Sequence, residues 1–393
     1  MSLPIFKQAP AAYGMPWLRL AFRPFYLGAA LLAALIVPLW VAIFLGAVTW
    51  QPAPSALLWH AHEMLFGFTI AVIVGFLMTA GKTWTGLPTP RGPMLGFLIL
   101  LWLGARLASL VAPYAVFAVL DLMLLPTVGL IFLRLLVRSR NWRNVPLAVI
   151  LLLLSMVNLS FHLSTQGMID LAPIRTLYVG LGLIVMIESV MAGRVVPFFT
   201  ATALNIKIEP VVWLERSALA ATAFGLILWA TEWHGGLTAV VLSLACILNV
   251  ARQWRWHPLD TLRRPILWIL HFSYLWLSLG LGLLAVAQLG WVTSSIGIHA
   301  LGVGATGGLI MGMMTRTARG HTGRPLAADM PEKIAYGLIM VAAVLRVVLP
   351  LMLPSIYSYA LVAAAAAWSA AFLVYLWQYT PWLVSARSDG KDG

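Results

Sequence analysis

Of the 393 residues only one is a cysteine, Cys246. A lone thiol excludes an intrachain disulfide, a cysteine-ligated iron–sulfur cluster, a dicysteine copper centre and a blue-copper site with histidine beside cysteine. No C-x-x-C-H occurs, so covalent c-type haem is excluded as well. Charge is also scarce: Asp, Glu, Lys and Arg make up 9% of the chain, and only 12 residues are acidic. No stretch is polar enough for a soluble domain, and the mean hydropathy of +0.93 puts the chain in the polytopic membrane class. The opening MSLPIFKQAPAAYGMPWLRLAFRPF reaches its first apolar run too late for a cleaved signal peptide, and that run is too long, so the first helix is expected to persist.

What the sequence has in abundance is apolar runs of about 20 residues, enough to span ~30 Å of hydrocarbon as helix. Twelve are expected, over 21–46, 56–80, 93–112, 114–136, 145–164, 174–193, 211–231, 235–251, 265–288, 295–315, 333–352 and 356–378. The fold class is therefore all-α, a polytopic bundle of about twelve transmembrane helices. Nothing divides it, so residues 1–393 are read as a single domain with a cytoplasmic arm over 1–20 and a cytoplasmic tail over 379–393. Short basic loops stay on the cytoplasmic side. Of the 25 lysines and arginines, all but Arg106, Arg175 and Arg346 fall on one side of this topology, which puts both termini in the cytoplasm. The net charge of +13 is thus a topology signal, and no nucleic-acid partner is implied. The two longest loops are expected over 194–210 and 316–332.

GVGATG at 302–307 satisfies G-x-G-x-x-G but lies inside an apolar helix with no preceding strand, so it lacks the context of a dinucleotide site. Ala300, Gly304, Gly308 and Gly312 instead make a small-residue face that another helix or a flat cofactor can approach.

Ionisable groups inside a bilayer are costly and mark sites. WHAHE, at 59–63, opens the second helix at its outer end. His162 near the end of the fifth helix and His299 at the start of the tenth reach the same level, so His60, His62, His162, His299 and Glu63 share one depth. One histidine near an interface is ordinarily a hydrogen-bonded interfacial residue, but four at one depth indicate a metal or haem site. Residues two apart on a helix are rotated by about 200°, so His60 and His62 are expected to serve different neighbours. Glu63, only about 60° from His60, can share the His60 face. Asn158 and His162 line one stripe, as do His299, Thr306 and Met313. His271 and His321 share the opposite, inner level, while His234 and His257 are expected to face solvent. Asp121 and Glu188 are expected either in a proton path or paired with Arg106 and Arg194. With imidazoles present and thiolates absent, b-type haem or His-ligated copper suits the outer cluster best.

FRPFY (22–26), WHAHEMLFGF (59–68), GFLMTAGKTWTG (75–86), NWRNVP (141–146), NLSFH (158–162), GRVVPFFT (193–200), LWILHFSYLW (267–276) and HALGVGATGGLIMGMMTRTARGHTGR (299–324) together resemble the NnrS family. That resemblance implies a multi-pass protein of the bacterial inner (cytoplasmic) membrane that binds haem b and copper. It also implies a role in nitric oxide tolerance and nitrosative stress, often beside denitrification. The histidines in matching motifs are His60, His62, His162, His271, His299 and His321. On this reading the outer cluster binds nitric oxide and reduces or detoxifies it, with electrons from a redox partner and with Glu63 and Glu188 handling protons. His271 and His321 are expected either to hold a second cofactor or orient a propionate through Arg316, Arg319 and Arg324, whose guanidinium forks suit carboxylates, or to pin a structural loop through an imidazole hydrogen bond. A twelve-helix transporter, a copper- or haem-handling protein and a nitric oxide sensor without turnover stand as alternatives.

Overall fold

The computed structural model describes residues 14–233 and 235–391, and these are almost entirely helical, with no strand among them. The expectation for His234 and the first part of the N-terminal arm fall outside the described residues. Twelve helices are long and apolar enough to cross a membrane. They are α1 (Phe22–Phe44), α2 (Ala56–Thr85), α3 (Pro93–Val111), α4 (Tyr114–Arg138), α5 (Trp142–Thr165) and α6 (Pro173–Leu204). The rest are α7 (Val212–Ala230), α8 (Gly236–Trp254), α9 (Pro265–Gln288), α10 (Ser294–His321), α11 (Met330–Met352) and α12 (Pro354–Val384).

Their starts match the expected spans closely, but several ends do not. α6 continues through GRVVPFFT to Leu204, α10 continues to His321, and α12 reaches Val384, so the expected loops and tail are shorter. Apolar length ends at the first charge, whereas helical hydrogen bonding continues until something stops it. α6 stops at Asn205, which takes a left-handed φ of 55° as its C-cap.

Consecutive helices mostly pack against one another, and α12 returns to lie along α1, which also packs on α2. α2 and α10 are the central helices: 78% and 72% of their most apolar windows are buried, against 39% for α4, α8 and α11. The small-residue face of α10 is taken by a helix. A side chain added at Gly304, Gly308 or Gly312 would strike Trp276, Ser273 or Leu270 of α9. Close helix contact thus accounts for these glycines.

Three stretches depart from α-helical winding to form π turns: Glu63–Thr69 in α2, Ala300–Gly307 in α10 and Val344–Val348 in α11. His62 and His299 immediately precede the first two, and Arg346 lies in the third. π turns are uncommon and gather at functional sites, because the widened turn re-aims side chains at some cost in packing. All three bound the same end of the bundle, away from the arginine-rich loops.

A candidate metal centre beside an apolar cavity

One turn of α2 serves two places. His62 is buried, its ring held between Phe66 (centroids 5.1 Å apart) and Phe161 (4.6 Å). Its Nδ1 is 3.3 Å from Glu63 Oε1, and its Nε2 is 3.0 Å from Asn158 Oδ1 and 3.2 Å from Asp121 Oδ2. Asp121 Oδ2 also meets His162 Nε2 at 3.2 Å and accepts from Asn158 Nδ2 at 2.6 Å. Tyr114 OH lies 2.9 Å from His162 Nδ1. Between the two carboxylates sits Arg106, which donates to Glu63 Oε1 at 2.6 Å and pairs with Asp121. Donor atoms of His62, Asp121 and His162 all lie within 4.8 Å of one another, and all three residues are buried.

The sequence supports this arrangement locally. A Cβ on Gly67 would come within 2.9 Å of Arg106 Nη1 and 3.0 Å of Glu63 Oε2, so the glycine of WHAHEMLFGF makes room for the ion pair. Gly67 also uses its carbonyl to accept from Trp102 Nε1 at 2.9 Å. Asn158 and His162, one helical turn apart on α5, reach the same carboxylate oxygen, as their shared stripe requires. The adjoining void is only about 10 Å³ and is lined by Phe66, Trp102, Arg106, Asp121 and Asn158 among others. It is at the threshold for one water.

The polar atoms reveal an imbalance. Asn158 donates its amide to Asp121, which fixes its oxygen toward His62. Both ring nitrogens of His62 therefore face oxygens that accept. With Glu63 and Asp121 ionised, Arg106 protonated and both imidazoles neutral, the set carries one net negative charge. A positive charge at Nε2, either a second ring proton or a metal cation, resolves both conditions. Tyr114 can donate to His162 Nδ1 or accept from it, so it supports a protonated or a metal-binding Nε2.

His60 looks the other way. It stacks on Trp40 (4.2 Å, 21°) and lines a cavity of about 310 Å³ together with His299, Arg346, Thr69 and Thr306. Phe68, Tyr178, Tyr357 and Trp368 contribute aromatic walls. His60 Nδ1 is buried with no hydrogen-bond partner among the described residues. His299 Nδ1 donates to Ser295 O at 2.7 Å, which leaves Nε2 to accept from Arg346 Nη2 at 3.1 Å. Glu188 lies beside Thr306, behind the residues that line the cavity, with Oε2 buried and unpartnered.

The four histidines expected at one level are therefore divided between two settings: His62 and His162 in the compact cluster, His60 and His299 in the cavity. Glu63 does not share the His60 face. Arg106 lies on the His62 side and captures the carboxylate there. Asp121 pairs with Arg106, but Glu188 does not pair with Arg194, which donates to Asn144 Oδ1 at 2.7 Å. Met313 does not line the cavity, although Thr306 does. Two residues with no assigned site role in the sequence reading belong here: Tyr114, and Arg346, whose signal was a basic residue on the wrong side of the topology.

The inner residues are more dispersed. His271 Nε2 is 2.9 Å from Thr200 Oγ1 of α6, whereas His321 packs against Phe22 of α1 at 5.5 Å. Arg319 is held by Asp329 (2.6 Å) and Glu332 (2.5 Å), Arg324 lies over Trp382 (4.2 Å) and Arg316 over Phe199 (3.7 Å). Arg319 thus has its carboxylates already. Gly193 of GRVVPFFT is explained by packing, since any side chain there would collide with the Arg252 guanidinium, itself bound to Glu215 at 2.7 Å and Tyr274 at 2.9 Å. His257 is exposed and faces Asp260 at 3.0 Å.

Fold and site define a polytopic helical membrane protein with a buried histidine–carboxylate cluster able to bind a metal. The chain belongs to the NnrS family: the family model described as NnrS protein matches residues 16–387, nearly its whole length. No curated protein matches it.

Proposed function

We propose that this is a haem- and copper-binding protein of the bacterial inner membrane that takes up nitric oxide from the bilayer and reduces it. The observation that carries the metal assignment is His62 Nε2, which faces two oxygens, Asn158 Oδ1 and Asp121 Oδ2, in a cluster one positive charge short. A monovalent copper ion held by His62, His162 and Asp121 would neutralise that set. Imidazole nitrogen with no thiolate nearby is a donor set that copper accepts.

The compact cluster has no room for a macrocycle, and the cavity is by far the larger of the two spaces. Its volume of about 310 Å³ is within the range of small-molecule sites, its walls are aromatic, and His60 Nδ1 has no other partner. His60 and His299 are the residues that would hold haem b there. What the two groups would supply is a redox-active iron that binds nitric oxide and a second one-electron centre.

The chain's own residues supply access and protons. Nitric oxide is small, neutral and lipid-soluble, and the cavity mouth carries exposed Phe44 and Leu57 rather than charge. Reduction of two nitric oxide molecules to nitrous oxide and water consumes two protons and two electrons, the electrons coming from a membrane redox partner. Glu188 fits the proton-holding role, because it adjoins Thr306 of the cavity lining and keeps one buried oxygen without a partner. Glu63 fits it less well, being committed to Arg106. The basic-residue asymmetry supports a periplasmic site, so a reporter fused after Pro52 is expected outside and one after Arg140 inside.

The test is metal analysis of the purified protein with an optical spectrum taken after dithionite and then after nitric oxide. A Soret band that shifts with nitric oxide, with stoichiometric iron and copper, is expected. Absence of both metals would reject this function and favour a carrier.

A further inference from the structure

Five arginines are buried among the described residues: Arg23, Arg106, Arg252, Arg319 and Arg346. Arg106, Arg252 and Arg319 each meet carboxylates, and Arg23 donates to the carbonyls of Leu383 and Ser385. Arg346 differs. It is 6% exposed, in a π turn near the C-terminal end of α11, and no carboxylate among the described residues pairs with it. Its neighbours are His299 Nε2 at 3.1 Å and the Tyr357 ring at 5.7 Å, both neutral donors of electron density. None of the residues that line its cavity is an aspartate or a glutamate. A guanidinium desolvated without a counter-ion is costly, and here it faces an open volume rather than packed side chains.

We infer that Arg346 is an anion anchor, taking the carboxylate or oxyanion end of whatever occupies the cavity through a forked pair of hydrogen bonds. This rests on the cavity being a ligand site, as proposed above, and adds what that ligand must carry. It also couples two events. The Arg346 donor now occupies the lone pair of His299 Nε2, the same lone pair that would bind a metal. When an anion draws the guanidinium away, that lone pair is released, while the bond from Nδ1 to the Ser295 carbonyl keeps the ring in the right tautomer. Anion capture and freeing of the histidine are therefore one movement. The anion has two chemical sources, the carboxylate of a flat apolar cofactor or a small inorganic oxyanion, and both use the same fork.

The experiment uses full-length protein purified in detergent from cells grown without haem precursors. Tryptophan quenching, to which Trp40 and Trp368 of the cavity contribute, reports binding of protoporphyrin IX, of its dimethyl ester and of nitrite. The parent protein is expected to bind the diacid at least about tenfold more tightly than the ester, the scale of a charge-assisted hydrogen bond. Arg346→Gln should erase that preference and Arg346→Lys should keep part of it; the comparison within the parent protein needs no variant to fold. Binding of nitrite that depends on Arg346 and displaces the diacid would assign the anchor to a small oxyanion. Equal binding of acid and ester, with nitrite inert, would overturn the anchor while leaving the cofactor cavity standing. No binding of either porphyrin, with no Arg346-dependent nitrite binding, would overturn both.

Discussion

His60 and His62 are two residues apart on α2, yet the compact cluster and the cavity they serve have opposite deficits. The cluster is closed and crowded, holds two carboxylates to one guanidinium, and lacks a positive charge. The cavity is wide and aromatic, is lined by a guanidinium and by no carboxylate, and lacks a negative charge to pair with it. A cation completes the first and an anion the second. Two sites so unlike can adjoin because a single helical turn directs side chains two positions apart to opposite walls, and Gly67, within the π turn that begins at Glu63, leaves room for Arg106. The arrangement suggests two cofactors of different size placed side by side.

The most damaging way to test this contrast is to remove each arginine. Arg106→Leu strands Glu63 and Asp121 as buried anions, and a loss of about 3–5 kcal/mol is expected, read as a large fall in melting temperature in detergent. Arg346→Gln removes a cation that has no counter-ion, so its melting temperature should stay close to the parent value; equal losses in the two variants would erase the distinction. A smaller effect, confined to turnover, is expected just behind the cavity lining. Glu188→Gln should slow nitric oxide consumption about a hundredfold while iron and copper content stay at parent levels, since the amide keeps the shape but holds no acidic proton. Parent-like turnover would remove Glu188 from the proton path. The mildest change is Tyr114→Phe, which takes away a hydroxyl 2.9 Å from His162 Nδ1 and leaves the donor set intact. Copper affinity should drop about tenfold, measured by competition with a chelator, and haem content should not move.

Much of this was legible in the sequence, for a physical reason in each case. Membrane spans follow from apolar length, so twelve helices and their starts could be read directly; their ends could not, because α6 and α10 stay helical well past the end of the apolar run. The split between His60 and His62 follows from helical geometry alone. Glu63 misled because a rule for regular helices cannot anticipate either a π turn or a guanidinium arriving from α3. The inner arginines misled because GHTGR looks like an anion site in one dimension, whereas Asp329 and Glu332 fold back onto Arg319. The strongest signal was an exception. Of the three basic residues that break the one-sided charge pattern, Arg106 crosses the compact cluster and Arg346 lines the cavity, while Arg175 pairs with Glu232. In a membrane bundle, a cation off its expected side is held there by what it binds.

The claim on which the rest depends is that α2 serves two separate centres, and the most direct measurement is the haem and copper content of purified His60→Ala and His62→Ala proteins. His60→Ala should lose haem and keep copper, and His62→Ala should lose copper and keep haem. If both variants lose the same group, or if each loses both together while remaining folded, the two histidines belong to one site and the account of paired centres is wrong.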